Sequence, residues 1–264
     1  MPVDLHRLVD DLAAETLALT ELTDPLDDAG WHRGTPAVGW TVADQIGHLA
    51  YFDDAAIISA REPDRFRADL ATMLAQGGVD PDEIAGRYRR LDPAAVRDWF
   101  AEGRTRLIEV FRVLDPATRV PWYGPDMSVA SALTARLMET WAHGQDIADA
   151  LGAGRTPTDR LRHVAHIGVG ARAFSFTAHG RPVPTAPVFV DLLAPSEDRW
   201  TWGPPEAADR ISGSALDFCL LVTQRRHRDD TSLTIVGPAA TEWMKIAQAF
   251  AGPPGPGRAP GQFA

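Results

Sequence analysis

The chain has 264 residues, 45% of them hydrophobic and 23% charged, which suits one large or two modest globular domains. A formal net charge of −10 and a pI near 5.2 argue against nucleic acid or an anionic membrane as the main partner. No apolar run approaches the roughly 20 residues that span a bilayer. The acid-bearing start, "MPVDLHRLVDDLAAETLALT", lacks the basic-then-apolar order of a signal peptide, and the single cysteine, Cys219, cannot form an internal disulfide. These features predict a cytoplasmic protein. Lys245 is the only lysine among many Arg, Ala, Gly and Pro residues, a composition that suggests a GC-rich genome, as in actinobacteria.

Apolar residues at Val3, Leu5, Leu8, Val9, Leu12, Leu17 and Leu19 give helical spacing over 3–22. "DPLDDAGWHRGTPAVGW" breaks the pattern with Pro25, Gly30, Gly34, Pro36 and Gly39. Thr41, with Asp44 three residues on, caps a second helix expected over 42–61, ending before Pro63. Segment 64–90 reads as a further helix. Asp92 and Pro93 open another, over 93–114. "DPATRVPWYGPD" reads as loop. Ser128 caps a long helix over 129–151, closed by Gly152. Four amphipathic helices with moderate connections favour a bundle.

The texture then changes, at "GAGRTPT" near 152–158. "TDRLRHVAHIGVGARAFSFTAHG" reads as a helix, and "APVFVDLLAP" and "DRWTWGP" as strands. "ADRISGSALDFCLLVTQRR" reads as a capped helix, "TSLTIVG" as a strand and "AATEWMKIAQAFAG" as a final helix. The expected fold class is therefore α+β: a helical bundle over 1–155, a small α+β domain over 156–252, and a Pro/Gly-rich extended tail over 253–264.

The chemistry concentrates in "RLMETWAHGQDIAD". Glu139 and His143, four apart, project from one helix face among Leu133, Leu137, Met138, Trp141 and Ile147. A carboxylate on an inward stripe is costly unless it is paired or holds a metal. His48 sits in the middle of the second helix among Ile46, Leu49, Tyr51 and Phe52. A lone histidine on such a face is usually core, and an i, i+4 Glu/His pair is common on surfaces. Bundles nevertheless build metal sites from one ligand on one helix and such a pair on another. Two imidazoles and a carboxylate suit zinc, and three protein ligands leave a position open, as in catalytic sites.

"WTVADQIGHLA" followed by "ETWAHGQDIA" resembles the DinB-like family of mycothiol-dependent maleylpyruvate isomerases, and in particular an actinobacterial subgroup of metal-binding proteins of unknown activity. The resemblance covers nearly the whole chain. It implies a divalent metal, most simply zinc, on His48, Glu139 and His143. It also implies a four-helix bundle followed by a sterol-carrier-like α+β domain. In relatives, the thiol of mycothiol adds to a conjugated double bond, and rotation and elimination give cis–trans isomerisation. An arginine of the second domain serves their active site, and Arg225 or Arg226 in "QRRHR" is the counterpart here. A basic cluster of that kind suits a carboxylated substrate; the alternative is a solvated helix end.

A metal with an open position deprotonates a bound thiol. Cys219 lies in apolar "LDFCLLV" and reads as an inert core thiol, so the nucleophile must come from outside. Asp146 is a candidate acceptor for the spare ring N–H of His143. Asp44 and Gln45 are candidates to line the cavity, whereas Asp53 and Asp54 lie off the face of His48. His163 and His166 read as packing residues. The expected activity is a metal- and thiol-dependent isomerase or transferase, working on a small thiol and an electrophilic or carboxylated substrate as a monomer or homodimer. The alternatives are a hydrolase using metal-bound water, or a non-enzymatic carrier in which the metal is structural.

Overall fold

The computed structural model describes residues 4–76, 78 and 81–263. The chain divides into two compact units, Met1–Gly154 and Arg155–Ala264.

The first unit is helical: α1 Leu5–Thr23, α2 Asp28–Trp31, α3 Val42–Arg61, α4 Pro63–Ala75, α5 Pro81–Tyr88, α6 Pro93–Arg112 and α7 Val129–Leu151. Its long helices begin where capping chemistry places them. Asp4 accepts from the Arg7 N–H, Thr41 and Asp44 form a reciprocal capping box, and Asp92 accepts from Ala95 just ahead of Pro93. Ser128 caps α7, and Gly152 closes it at φ 64, where a side chain would be strained. Leu19, Trp31, Ile46, Leu49, Phe100 and Ile147 form a core among α1, α2, α3, α6 and α7. Gly47 lets α5 approach α3: a Cβ there would lie 2.5 Å from the Tyr88 ring.

Three expectations need correction here. The stretch 24–40 contains the short helix α2, capped by Asp27. Segment 64–90 is two helices, because Pro81 starts a new one and would break a continuous one; residues 77, 79 and 80 between them lie outside the described residues. The loop at 115–126 contains β1, Arg119–Val120, which pairs antiparallel with β2, Met127–Ser128.

The second unit carries α8 Leu161–Gly170, α9 Arg172–Ala178, β3 Val188–Leu193, β4 Arg199–Trp202, β5 Asp209–Ser214, α10 Ala215–Val222, β6 Thr234–Val236 and α11 Pro238–Ile246. The sheet order is β4-β3-β5-β6. β3 runs antiparallel to β4 and parallel to β5, and β5 antiparallel to β6. The helix expected over 158–180 is split at Ala171. The one expected over 208–226 is half strand: Asp209–Ser214 pairs with β3 and β6, and the helix starts only after Ser214, whose hydroxyl accepts from the Asp217 N–H. Only Ile211 marks that strand as apolar, and buried Asp209 is satisfied by the Ala240 N–H, so the alternation is hidden. The tail is not simply extended. The Gly261 N–H donates to Asp230, and Phe263 lies under the Arg226 guanidinium at 4.5 Å. Among the described residues no helix is long and apolar enough to cross a membrane.

Candidate metal centre

His48 reaches inward from the middle of α3, and Glu139 and His143 from the facing stretch of α7. The Glu139 Oε2 lies 3.1 Å from His143 Nε2 and 3.5 Å from His48 Nε2. The two imidazole centroids are 4.5 Å apart. One ligand atom from each of the three residues falls within 4.8 Å of the others. This is the right spacing and chemistry for a three-ligand metal site with an open position.

The register of α3 against α7 is set just below. Asp53, fully buried on α3, accepts from Arg104 Nε at 2.7 Å and from Arg136 Nε at 3.0 Å. Arg136 lies on α7, one turn before Glu139, and also donates to the Leu49 carbonyl of α3. Arg104 reaches Thr16 and Thr140 as well. Asp53 therefore serves the ligands from a distance, off their face. Asp54 pairs instead with Trp99 and Arg106.

A relay of hydrogen bonds fixes the protons of His143. The Trp40 carbonyl is acceptor only, so the Thr35 hydroxyl donates to it, at 3.0 Å. The Gln45 amide nitrogen donates to that hydroxyl at 2.9 Å. The Gln45 amide oxygen is thereby turned to His143 Nδ1, with which it is hydrogen-bonded. Nδ1 must then carry the proton, which leaves the Nε2 lone pair facing the Glu139 carboxylate. Two acceptors 3.1 Å apart need a cation or a proton between them, so the residues present fit a metal. The same geometry corrects two expectations. The spare N–H of His143 goes to Gln45, not to Asp146. Asp44 does not line the cavity but serves the α3 capping box and pairs with Arg89 at 2.8 Å.

Electrostatics points the same way. Burial, and then the nearby His143, pushes His48 down from 6.5 to about 4, so its imidazole is neutral at pH 7. His48 Nδ1 is buried without a hydrogen-bond partner. Burial would raise Glu139, but its close contacts with the His143 and His48 imidazoles outweigh it and hold the carboxyl well below its usual value. A neutral imidazole and an ionised carboxylate are the forms in which these side chains bind metals.

Arg225 and Arg226 lie in the second unit, past the end of α10 and beyond Gln224, which has φ 60. Their N–H groups both return to the Leu220 carbonyl, and both side chains are half-buried. Cys219 is fully buried, and burial pushes its thiol well above the ordinary value, as its apolar setting implies. Of the two α8 histidines, His166 is exposed and His163 half-buried, so His166 is not a packing residue.

A family model described as mycothiol maleylpyruvate isomerase N-terminal domain matches residues 12–148, just over half of the chain. The chain belongs to that family. A second model, described as wyosine base formation, matches residues 184–234 in the sheet of the second unit. Two uncharacterized proteins of Mycobacterium tuberculosis, from strains CDC 1551 / Oshkosh and H37Rv, are each 44% identical over 255 residues. The matched regions cover 97% of this chain and 99% of each relative. Two crystal structures of mycothiol-dependent maleylpyruvate isomerase, one a histidine-to-alanine mutant, have TM-scores of 0.60 and 0.58. They share 18% identity and cover 88% of this chain and 93% of theirs. That likeness speaks for the α+β fold and leaves the activity to the site.

Proposed function

We propose that the protein is a thiol-dependent isomerase or transferase that uses a divalent metal, zinc by donor chemistry, held by His48, Glu139 and His143. The observation that carries this reading is the convergence of two imidazoles and a carboxylate from two helices in a chain of this family. When bound, the metal would supply the charge that keeps a coordinated thiol deprotonated at neutral pH.

The remaining work falls to the chain. His48 and His143 would present neutral nitrogens to it, and the Glu139 carboxylate would offset one positive charge. Gln45 holds the Nδ1 proton of His143. No cysteine of the chain competes, because Cys219 is sealed in the core. A small thiol of the mycothiol type is therefore the nucleophile. Its sulfur bonds to one carbon of a conjugated double bond, rotation follows, and elimination returns the thiol. In a transferase the adduct would instead be protonated and released.

The first test is elemental analysis of protein purified without added metal, together with His48→Ala, Glu139→Ala and His143→Ala. About one metal per chain, lost in all three variants, is the expected result. Metal content near zero, or unchanged in the variants, would remove the reading. Loaded protein should then consume mycothiol with an electrophile.

A second reading, a carrier, draws on the second unit. Its cavity of about 360 Å³ is lined by Val169, Val183, Val188, Val190 and Trp243, with Arg172 the charged group among them. Under that reading His48→Ala loses stability but no reaction.

A further inference from the structure

Beside the three ligands the bundle presents aromatic faces. The Trp40 ring lies 5.3 Å from that of His48 and 6.1 Å from that of His143. Phe52, one turn after His48, lies 4.6 Å from it. Phe52 in turn meets Tyr51, Tyr123 and Trp122 at 5.2, 5.5 and 6.2 Å. Trp122 stacks at 5.9 Å on Phe66, which is buried. The β1–β2 hairpin carrying Trp122 and Tyr123 is tied to α3, because the Ser59 hydroxyl donates to the Pro121 carbonyl.

Trp40, Tyr51, Phe52, Trp122 and Tyr123 are all half-buried. Rings recruited only to fill a core would be sealed, as Phe66 is. A contiguous set of partly open rings, rooted on a buried one and abutting a polar triad, has the make-up of a small-molecule wall. The charged side chains acting on Tyr123 are Arg87 and Asp69, of opposite sign. Arg136, which acts on His48, is committed to Asp53 and the Leu49 carbonyl. Arg136 lies 6.0 Å over the Phe52 ring but is held by Asp53, so these described rings offer stacking faces rather than a free cation for a dicarboxylate. Tyr123 adds a donor: burial and neighbouring Tyr51 keep its phenol protonated.

We infer that this wall sets the electrophile class: a planar, uncharged, conjugated carbonyl compound of the aryl enone type, stacked among Phe52, Trp122 and Tyr123. The inference rests on the thiol-dependent reading above. The thiolate sulfur bonds to the β-carbon of the enone. The π pair moves onto the carbonyl oxygen as an enolate, where a phenol O–H such as that of Tyr123 can donate a hydrogen bond. The α-carbon then takes the proton that the thiol lost, giving a thioether with no change of oxidation state overall. Loss of the sulfur after rotation gives the cis–trans isomer instead.

The test is isothermal titration of the full chain, with metal as purified, using three probes: 4-phenylbut-3-en-2-one, its cyclohexyl analogue and maleate. The aryl enone is expected to bind one per chain and at least about tenfold tighter than either of the others, since a stacked ring gains roughly two- to tenfold per aromatic partner. Trp122→Leu and Phe52→Leu should each weaken it by about that factor while metal content stays unchanged. Equal binding of the cyclohexyl analogue, tighter binding of maleate, or unaltered affinity in both variants would overturn the inference. So would binding of a glucosamine-bearing thiol at these rings without selectivity for the aryl enone. Metal content separates the two claims. A metal-loaded protein without ring selectivity sinks the substrate class and spares the thiol chemistry, whereas ring-selective binding without metal does the reverse.

Discussion

Replacing Asp53 by Ala should be among the most damaging single changes in the bundle, although Asp53 touches no ligand. Its carboxylate is fully buried and accepts from Arg104 Nε at 2.7 Å, Arg104 Nη2 at 3.3 Å and Arg136 Nε at 3.0 Å. Both guanidiniums are almost fully buried too. Their other hydrogen bonds go to the Thr16 and Thr140 hydroxyls and the Leu49 carbonyl, and the buried Glu15 also acts on Arg104. Without Asp53, two like charges face each other in a medium that screens them poorly. Breaking one buried pair costs about 3–5 kcal/mol. Here one deletion strips two arginines, so about 5 kcal/mol is expected, comparable to the whole stability of many domains at roughly 5–15 kcal/mol.

The assay is urea denaturation of chelated protein, followed by circular dichroism. The triple variant Asp53→Leu/Arg104→Met/Arg136→Met should recover part of the loss, because it removes both arginine charges together with the aspartate, although Glu15 then loses the nearby Arg104 charge. A cost below about 1 kcal/mol for Asp53→Ala would refute the reasoning. So would a triple variant no more stable than the single. The change should also weaken the metal site, since Asp53 joins the helix of His48 to that of Glu139.

Two further outcomes follow from the site. Gln45→Leu removes the acceptor that fixes the His143 tautomer, and it should weaken metal binding by about 10- to 100-fold; nitrogen NMR of His143 in the metal-free protein should show Nδ1 losing its exclusive proton, whereas an unchanged tautomer would remove Gln45 from this role. The chelated protein should lose stability on acidification. The folded pKa of His48, about 4, lies below its ordinary 6.5, so between those values the unfolded chain binds more protons than the native one. The stabilisation is complete above about pH 6.5 and is lost as pH falls through 4, by roughly 3 kcal/mol. Glu139, held below its ordinary value, adds a further loss under pH 4.5. His48→Ala should flatten the first part of that profile, and an equally steep profile in that variant would assign the loss elsewhere.

The sequence by itself determined the long helices α1, α3, α6 and α7 and the identity of the three candidate ligands. Thr41 with Asp44, Asp92 with Pro93, and Ser128 with Gly152 act within a turn of where they stand, so the boundaries of α3, α6 and α7 are local facts. The i, i+4 pair Glu139/His143 is local in the same sense. Strand β5 was hidden because "DRISGS" has little apolar alternation and is a strand through its partners β3 and β6. The Pro/Gly-rich tail gave no sign of its contacts with Asp230 and Arg226, which come from distant segments.

Only the tertiary structure decided how His48 meets its partners and what surrounds them. The Asp53–Arg104–Arg136 cluster joins residues as far as 83 apart in sequence, and the Gln45–His143 bond spans 98. Trp122 and Tyr123, in a stretch that reads as plain loop, reach Phe52 only because a short hairpin with two-residue strands folds against α3. Periodicity and caps report the backbone within a few residues. Burial, proton placement and the wall of a site depend on which surfaces the packing brings together.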